Sequence, residues 1–434
     1  MYPARQALLA GKALAQWTGP GDVEARQMER LRRLVERTWR EHAAHARWWA
    51  EHGLTPGTRL AARADLLALP VITKQHYQPL PEAEAIARDY RGVPLLTDLT
   101  SGSTGAPTAI RRTYPEDFTM CAYRLGEHFR YGLSWFGLRV TLNSGVAESL
   151  DLPGAKRRNV WTKAGVLRRA SVNHVKLGPE GALRRLRELR PQTVGGHAEA
   201  IWRLALEVPE EELRALRVHH LAMGAQTVTP EMQERVRAAF GCPAYNMYGA
   251  SEFNLLASEC PETGLLHLNE EGLIVEVLRE GRAARDGEGG EVVATNLAAE
   301  AMPFIRYALN DWAVMGPERC PCGRAVRTLR SVQGRVAEFF HFSGGRKVHP
   351  FELINPLLRF VGWMKEYRMV QAERDRVEVW FDVLGEAPED ACGQVASAVG
   401  AKAPAGVVVE AVRRAIPPVP ERGKNKMFQA LGAE

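Results

Sequence analysis

Long apolar runs are missing from this chain of 434 residues. No run approaches the roughly 20 residues that a helix needs to cross a bilayer, which argues against a membrane-spanning protein. The first segment, Met1 to Trp17, has a short Ala/Leu run but lacks the apolar core and cleavage site of a secretion signal. We therefore expect an ordinary N-terminal helix, a cytoplasmic location and no membrane partner.

Cysteine is scarce, and its six copies are unevenly spaced. This spacing is unlike the disulfide framework of a secreted domain and favours a reduced compartment. Four residues together supply three thiols and one imidazole, a ligand set for structural Zn²⁺: Cys260, His267, Cys320 and Cys322. The alternative is a group of free, buried cysteines. The other three cysteines are predicted to lie in the core: Cys121, Cys242 and Cys392.

Blocks of Lys and Arg are absent as well, although the net charge is +6 and the pI is about 9.0. The excess is arginine spread over predicted helices, without interleaved aromatic residues. A solvated surface with a site for an anionic substrate explains such a charge. We expect no nucleic-acid partner. A basic zinc protein that binds nucleic acid is the alternative, and a steep salt dependence of binding would support it.

Internal repeats and low-complexity tracts are also missing, and the length suffices for two or three domains. One helix is predicted over Met28 to Trp49 from its apolar face. Beyond it, strands alternate with helices, which predicts a layered α/β region. Alternating strands then predict a β-rich part over about residues 255–334. A smaller α+β unit follows, so we predict an N-terminal domain over 1–334 and a C-terminal domain over 335–434.

One stretch alternates hydroxyls with glycines: Thr100-Ser101-Gly102-Ser103-Thr104-Gly105. Glycine lets the backbone approach a ligand closely, and consecutive N–H groups in such a turn bind anions. The Lys-Ser/Thr pair of a Walker loop does not follow it. The stretch is therefore either a loop for a polyphosphate or a flexible linker.

The stretch and its Gly-x-Pro-Thr ending resemble the phosphate loop of the adenylate-forming superfamily, in the branch of the phenylacetate–CoA ligases. Four further stretches fall in the order that this superfamily shows: Tyr248-Gly249-Ala250-Ser251-Glu252, Ile305-Arg306-Tyr307 with Asp311, Gly334-Arg335, and Gly423-Lys424. The resemblance covers nearly the whole chain. It implies a large α/β N-terminal domain with a β-rich subdomain and a small, mobile α+β C-terminal domain.

The resemblance also implies residue roles. Tyr248 would stack on adenine, Asp311 would accept hydrogen bonds from both ribose hydroxyls, and Glu252 would hold Mg²⁺. The implied catalytic residues are Lys424, Glu252 and Arg335. The implied ATP- or AMP-binding residues are Thr100, Ser101, Gly102, Ser103, Thr104, Gly105, Gly224, Ala225, Gln226, Asn246, Met247, Tyr248, Gly249, Asp311 and Arg335. By position alone, His197 and Tyr245 are predicted to line the substrate pocket.

The implied reaction joins ATP to a carboxylic acid, of aryl or arylacetic type, and then passes the acyl group of the acyl-adenylate to CoA. The implied cofactors are ATP, Mg²⁺, structural Zn²⁺ and CoA, and the partners are the acid and CoA. The small domain would rotate between the two half-reactions, with its pivot near Gly334 to Glu338. The sequence leaves open whether the protein forms a homodimer.

Two alternatives stay open, and three departures from the family pattern favour the second of them: Ala106 where Lys is frequent, Gln226 where Glu is common, and Ala337 where a charged hinge residue is usual. One alternative is adenylation followed by transfer to an amine, a hydroxyl or a carrier protein. The other is a protein that binds a nucleotide without turning it over.

Overall fold

The computed structural model describes residues 20–99, 108–123, 130–134, 136–143, 149–150, 168–336, 339–348, 350, 353, 355–360, 363–383, 385–416 and 428–431. Four predictions lie outside these residues: the N-terminal helix over Met1 to Trp17, the phosphate loop over Thr100 to Gly105, the hinge position Ala337, and Lys424. All structural statements below concern the described residues.

The helices are α1 (Pro20–Glu41), α2 (Ala43–Glu51), α3 (Lys74–Tyr77), α4 (Glu82–Ala85), α5 (Tyr114–Tyr123), α6 (His174–Leu189), α7 (Ala198–Glu207), α8 (Glu210–Ala215), α9 (Pro230–Phe240) and α10 (Ala391–Gly400). The strands of the first half are β1 (Leu96–Leu99), β2 (Ala109–Arg112), β3 (Arg139–Asn143), β4 (Ser149–Leu150), β5 (Arg169–Asn173), β6 (Thr193–His197), β7 (His220–Gly224), β8 (Ala244–Ala250), β9 (Asn254–Glu259) and β10 (Leu266–Leu268). The later strands are β11 (Leu273–Arg279), β12 (Arg282–Ala283), β13 (Gly289–Asn296), β14 (Tyr307–Met315), β15 (Thr328–Arg335), β16 (Phe340–His341), β17 (Lys347–Val348), β18 (Met364–Glu373), β19 (Arg376–Val383), β20 (Val408–Arg413) and β21 (Phe428–Gln429).

The chain divides into two compact units, each made of two stretches of sequence. The first unit combines Met1–Trp135 with Asn246–Val332, and the second combines Phe136–Tyr245 with Gln333–Glu434. Each unit is described by itself.

An antiparallel sheet organises the first unit, with neighbouring strands in the order β12, β11, β13, β14, β15, β10, β9, β8. Strands β11 and β13 pair in register from Leu273 to Leu278, as the alternating pattern of their residues predicts. A separate hairpin of β1 and β2 holds the two ends of the segment over 100–107. Most strands of the β-rich part thus pair with a strand close in sequence, whereas β15 pairs with the more distant β10.

Helix α1 packs on this unit through the apolar positions that repeat along one of its faces. Met28, Leu31 and Leu34 are buried in one cluster with Ile274 and Ile305. The predicted single helix over 28–49 is interrupted, because His42 adopts an extended backbone (φ −120°) and its ring Nδ1 accepts the N–H of His45 as the cap of α2. A cap of this kind ends one helix and starts the next.

A parallel sheet organises the first part of the second unit. Strands β5, β3, β6 and β7 are neighbours in that order and run parallel, and β4 pairs antiparallel at the edge. Helices α6, α7 and α9 contribute Leu186, Ile201 and Val236 to the same buried cluster as Val140 and Leu221. This is the layered α/β arrangement that alternating strands and helices predict.

The remainder of the second unit has its own four-stranded sheet in the order β20, β19, β18, β21. Strands β18 and β19 form an antiparallel hairpin, whereas β20 and β21 add in parallel. Helix α10 packs Val395 and Val399 into the core of this sheet, beside Phe381. The fold class predicted from the sequence, α/β with a β-rich part and an α+β C-terminal region, is confirmed. Within the described chain, no helix is long and apolar enough to cross a membrane.

Two histidines are buried side by side where α1 meets α2. The Nδ1 atoms of His42 and His45 lie 3.2 Å apart, and His45 Nε2 lies 3.4 Å from the hydroxyl of Tyr77. Burial lowers the pKa of His42 to about 4. Burial, and next the charge of His42, lowers the pKa of His45 well below its usual value. Both rings are therefore neutral in the folded protein near neutral pH.

This pair predicts an acid-sensitive contribution to stability. Unfolded histidines take up protons near pH 6.5, so the unfolded state binds more protons between about pH 6.5 and 4. The contribution of the two neutral rings to the free energy of unfolding is complete above pH 6.5. It is lost as the pH falls, by about 1.4 kcal/mol per pH unit for each histidine. We expect His42→Asn/His45→Gln to flatten the fall in unfolding temperature between pH 7.5 and 5.0. Asparagine preserves the helix cap.

The exposed His341 provides the control, because His341→Asn should leave the pH dependence of the unfolding temperature as it is in the native chain. An equally steep fall in the double variant would contradict the assignment.

Candidate functional site

Two residues that lie 63 positions apart in the sequence meet in the first unit. The hydroxyl of Tyr248, on β8, donates to a carboxylate oxygen of Asp311, on β14, at 2.8 Å. Both side chains are buried, with 8% and 9% of their surfaces exposed. Gly249 follows in close contact with the neighbouring strand, since a Cβ there would lie 2.3 Å from the carbonyl oxygen of Asn254. The two residues predicted to hold adenine and ribose therefore lie next to each other.

Asn310, directly before Asp311, adopts a left-handed backbone (φ +56°). Glycine suits this conformation best, and asparagine is one of the few other residues that tolerate it. The Leu-Asn sequence in front of Asp311 thus fits the backbone of β14 at the point where it presents the carboxylate.

Glu252 is held by two contacts from other strands. Its Oε1 accepts a hydrogen bond from the hydroxyl of Tyr307 at 3.2 Å, and its main-chain carbonyl accepts one from Asn296 Nδ2 at 2.9 Å. In the sequence, Tyr307 is recognisable only as part of a motif, and Asn296 carries no sign of a role. A tyrosine after an arginine gives no sign of its partner, so only the fold shows this contact.

Arg112 connects the hairpin of β1 and β2 to the turn that carries Glu252. Its guanidinium forms an ion pair with Asp98, donates to Asp117 at 2.9 Å, and donates to the carbonyl oxygen of Ser251 at 3.0 Å. The side chain is only 12% exposed. One cation therefore compensates two carboxylates and fixes the relative positions of Asp98, two residues before Thr100, and Ser251, one residue before Glu252.

Arg306 anchors the start of β14. It adopts a left-handed backbone (φ +48°), and its guanidinium donates two hydrogen bonds to Glu276, at 3.0 and 3.1 Å. It also donates to the carbonyl oxygen of Leu69. Both charged side chains are less than 9% exposed. This buried, bidentate pair fixes the residue that precedes Tyr307.

Asn246 and Met247, two further predicted nucleotide residues, also lie in β8. The N–H of Asn246 donates to Glu259 Oε2 at 2.8 Å, and Met247 is buried opposite Ser258 of β9. In both cases the observed contacts are structural ones to the neighbouring strand.

Four further predicted nucleotide residues belong to the second unit. Gly224 ends β7, and Ala225 follows it in a left-handed backbone (φ +65°). The side-chain oxygen of Gln226 accepts the N–H of Glu199 at 3.0 Å, in the first turn of α7. Gln226 therefore acts as a cap for α7, where His197 makes no side-chain cap. Arg335 is the last residue of β15, after Gly334 at φ +121°.

The two predicted pocket residues are not brought together. His197 ends β6 and pairs with Gly224, the last residue of β7. The ring of Tyr245 packs against His220, the first residue of β7, with centroids 5.5 Å apart. The two side chains thus lie at opposite ends of this parallel sheet.

His174, which the sequence analysis did not single out, lies next to His197, with ring centroids 5.7 Å apart. Only the fold shows that this histidine directly follows β5 and lies beside His197. Burial, and next the charge of His197, lowers the pKa of His174 to about 4.

The four predicted zinc ligands converge in the first unit. The ligand atoms of Cys260, His267, Cys320 and Cys322 all lie within 4.8 Å of one another. In a tetrahedral zinc site such atoms are roughly 3.5–3.8 Å apart, so a small contraction of this group would fit the ion. Two short loops present the ligands, since the N–H of Gly264 donates to Cys260 O at 2.9 Å and that of Gly323 to Cys320 O at 3.0 Å.

His267 is suited to bind a metal as a neutral ring. It is 1% exposed, and burial, followed by the charges of Arg130 and Arg324, lowers its pKa to about 3. Its Nε2 lies 3.5 Å from Cys322 Sγ. The other cysteines differ from the prediction of a core position, because Cys392 is exposed and Cys121 and Cys242 are half-buried.

Comparison with known proteins gives homologues along most of the chain. The chain is 26% identical over 380 residues to a phenylacetate–coenzyme A ligase of Thermus thermophilus, which covers 80% of this chain and 78% of that protein. A phenylacetate–coenzyme A ligase of Escherichia coli is 24% identical over 389 residues, covering 82% and 81%. No family model matches the chain. These homologues confirm the resemblance predicted from the motifs.

The structure is also similar to solved adenylate-forming ligases. It matches 2-hydroxyisobutyryl-CoA ligase in complex with 2-HIB-AMP with a TM-score of 0.77 and 18% identity, over 95% of this chain and 90% of that chain. It matches an anthranilate CoA ligase in complex with anthranoyl-AMP with a TM-score of 0.56 and 15% identity, over 76% and 65%. The likeness shows a shared fold.

The Arg306–Glu276 pair generates a stability prediction. Arg306→Gln leaves Glu276 buried without its charged partner, so we expect a loss of about 3–5 kcal/mol in the free energy of unfolding, measured by urea denaturation. Arg330→Gln is the matched control, because Arg330 pairs with Asp286 at the surface, where both side chains are about half exposed. Equal losses in both variants would contradict the role given to Arg306.

Proposed function

We propose that this chain uses ATP to activate a carboxylic acid as an acyl-adenylate and then transfers the acyl group to CoA. Homology to phenylacetate–coenzyme A ligases over four fifths of the chain supports this reaction. The observation that carries the residue roles is the contact of Tyr248 with Asp311, since the two motifs meet only in the fold. An aryl or arylacetic acid is the substrate class that the curated homologues suggest.

The nucleotide site is assigned to the first unit. Tyr248 offers its ring to adenine, and Asp311 accepts the ribose hydroxyls. A carboxylate has about four lone-pair directions, so Asp311 keeps the hydrogen bond from Tyr248 while accepting from the ribose. Because Tyr248 is fixed by that bond, the ring is already oriented before a nucleotide arrives. The loop over Thr100 to Gly105 is proposed to hold the phosphates.

Glu252 is the proposed ligand of Mg²⁺. Magnesium is commonly bound through one or two carboxylates together with phosphate oxygens, and it neutralises charge on them when bound. The contact from Tyr307 fixes one carboxylate oxygen of Glu252, while Arg112 fixes the preceding carbonyl. These contacts hold the carboxylate in one place on the sheet.

Of the three departures from the family pattern, the one at Gln226 is compatible with turnover, because Gln226 accepts the N–H that a glutamate would also accept. Arg112, the last residue of β2, lies in the hairpin next to the proposed phosphate loop, and its charge is paired with Asp98 and Asp117. Pyrophosphate exchange with labelled ATP, run with a panel of carboxylic acids, distinguishes an active ligase from a protein that only binds nucleotide. Repeating the reaction with and without CoA identifies the acceptor.

The C-terminal domain over 335–434 is proposed to rotate between the half-reactions, with its pivot near Gly334 to Glu338. In the structure, Tyr367 of β18 donates a buried hydrogen bond to Glu231 of α9. Nη2 of Arg203, on α7, lies 3.8 Å from Oε2 of Glu366, on β18. A rotation would break both contacts, so each stabilises one orientation of the C-terminal sheet.

Lys424 is proposed to neutralise the charge that develops between the acid and the α-phosphate. We expect Lys424→Ala to slow acyl-adenylate formation by about 10²–10³-fold, the range for losing one such contact. Thiolysis of supplied acyl-adenylate should remain largely intact. Single-turnover assays of each half-reaction measure the two rates.

Lys426→Ala is the control, because it removes a positive charge two residues away from Lys424 and so tests for a general effect of charge. Equal loss of both half-reactions in Lys424→Ala would argue against the role assigned to Lys424.

The thiol–imidazole cluster is proposed to bind one structural Zn²⁺, which would crosslink the loop after β9 to the loop before β15. We expect close to one zinc per chain in protein purified without added metal, measured by elemental analysis. Cys320→Ser/Cys322→Ser should lose the metal and lower the unfolding temperature. Cys392 is exposed and provides the control, because Cys392→Ser should keep the metal and the native unfolding temperature. Zinc-free native protein, or unchanged zinc in the double variant, would refute the site.

A further inference from the structure

Three neighbouring parallel strands of the second unit end in polar residues. Strands β3, β5 and β6 end at Asn143, Asn173 and His197. Asn143 pairs with Asn173, and Leu142 pairs with Gly196, so the three strand ends lie at the same edge of the sheet. In open α/β sheets, ligands bind outside the carboxyl ends of the strands.

Structural roles already occupy two of these side chains. Asn173 caps α6 by accepting the N–H of Lys176 at 3.1 Å. Asn143 donates to the hydroxyl of Ser171. The side chains at this edge that are best placed to meet a ligand are therefore the rings of His174 and His197.

The histidine pair carries one polar atom that needs a partner. Nε2 of His174 is buried and has no hydrogen-bond partner among the described residues. A buried donor or acceptor without a partner destabilises a protein noticeably, so such an atom calls for an explanation. A ligand that brings its own hydrogen-bonding group to this edge would satisfy it.

The chemistry of the pair limits that group. Burial and the neighbouring ring keep His174 neutral near neutral pH. A neutral imidazole has one donor and one acceptor nitrogen, which match a hydroxyl or an amino group. A second carboxylate on the ligand would favour a protonated ring, which burial opposes.

We propose that the acid activated by this protein carries a neutral hydrogen-bonding substituent, a hydroxyl or amino group, and that His174, supported by His197, selects for it. This inference rests on the proposed acid activation and specifies its substrate class. His174 is a specificity residue in this proposal, and it takes no part in the transfer of the acyl group.

The test is pyrophosphate exchange with matched acids: phenylacetate against its ring-hydroxylated and ring-aminated isomers, and benzoate against the corresponding isomers. We expect the best substituted acid to exceed its unsubstituted parent by at least about tenfold in kcat/KM. His174→Phe should bring this ratio close to one, because phenylalanine keeps an aromatic ring but has no hydrogen-bonding atom. His174→Gln, which keeps a hydrogen-bonding side chain, should retain part of the ratio.

The matched control is His219→Phe. His219 is exposed and directly precedes β7, at the end of the sheet away from His197, so this variant should keep the native ratio. A native preference for unsubstituted acids, or an unchanged ratio in His174→Phe, overturns the inference and leaves the proposed function standing. Absence of exchange with every acid overturns the proposed function, and the inference with it.

Discussion

The candidate nucleotide site depends on one buried ion pair. Arg306 donates two hydrogen bonds to Glu276 inside the first unit, and the main-chain oxygen of Arg306 accepts the N–H of Ile72 at 2.9 Å. The pair thereby fixes β14 against both β11 and the N-terminal segment. Tyr307 and Asp311, which contact the other two site residues, follow in this strand. Breaking such a pair is costly because one charge then stays buried alone.

Two tyrosine hydroxyls hold the carboxylates of the proposed site in place. Tyr307 donates to Glu252, and Tyr248 donates to Asp311, so each proposed ligand-binding carboxylate is oriented by a buried phenol. The ring of Tyr307 packs against Phe253 and Phe304, with centroids 6.1 and 5.2 Å away. Aromatic packing of this kind allows few alternative positions for the hydroxyl, and it preorganises both carboxylates.

Two residues beside the residues predicted to bind the nucleotide adopt a positive backbone φ. Asn310 takes a conformation for which glycine is best suited, and Ala225 takes one that costs a residue with a Cβ about 1–2 kcal/mol. Strain of this size persists where the surrounding structure determines the backbone. Both residues lie directly beside proposed site residues, Asp311 and Gln226, which fits the tendency of such strain to occur at functional sites.

Four features were predictable from the amino-acid sequence: the order of the motifs, the α/β class with its β-rich part, the zinc-type ligand set and the resemblance to phenylacetate–CoA ligases. These depend on local patterns, such as apolar periodicity and the spacing of glycines and hydroxyls, which can be read from neighbouring residues.

The contacts between distant residues became known from the fold. It placed Tyr248 on Asp311 and His174 beside His197, separated Tyr245 from His197, and made Gln226 a helix cap. It also divided the predicted first helix at His42 through a contact with His45. Pairings between residues far apart in the chain are set by strand register and packing, and a single sequence carries no local signal for them.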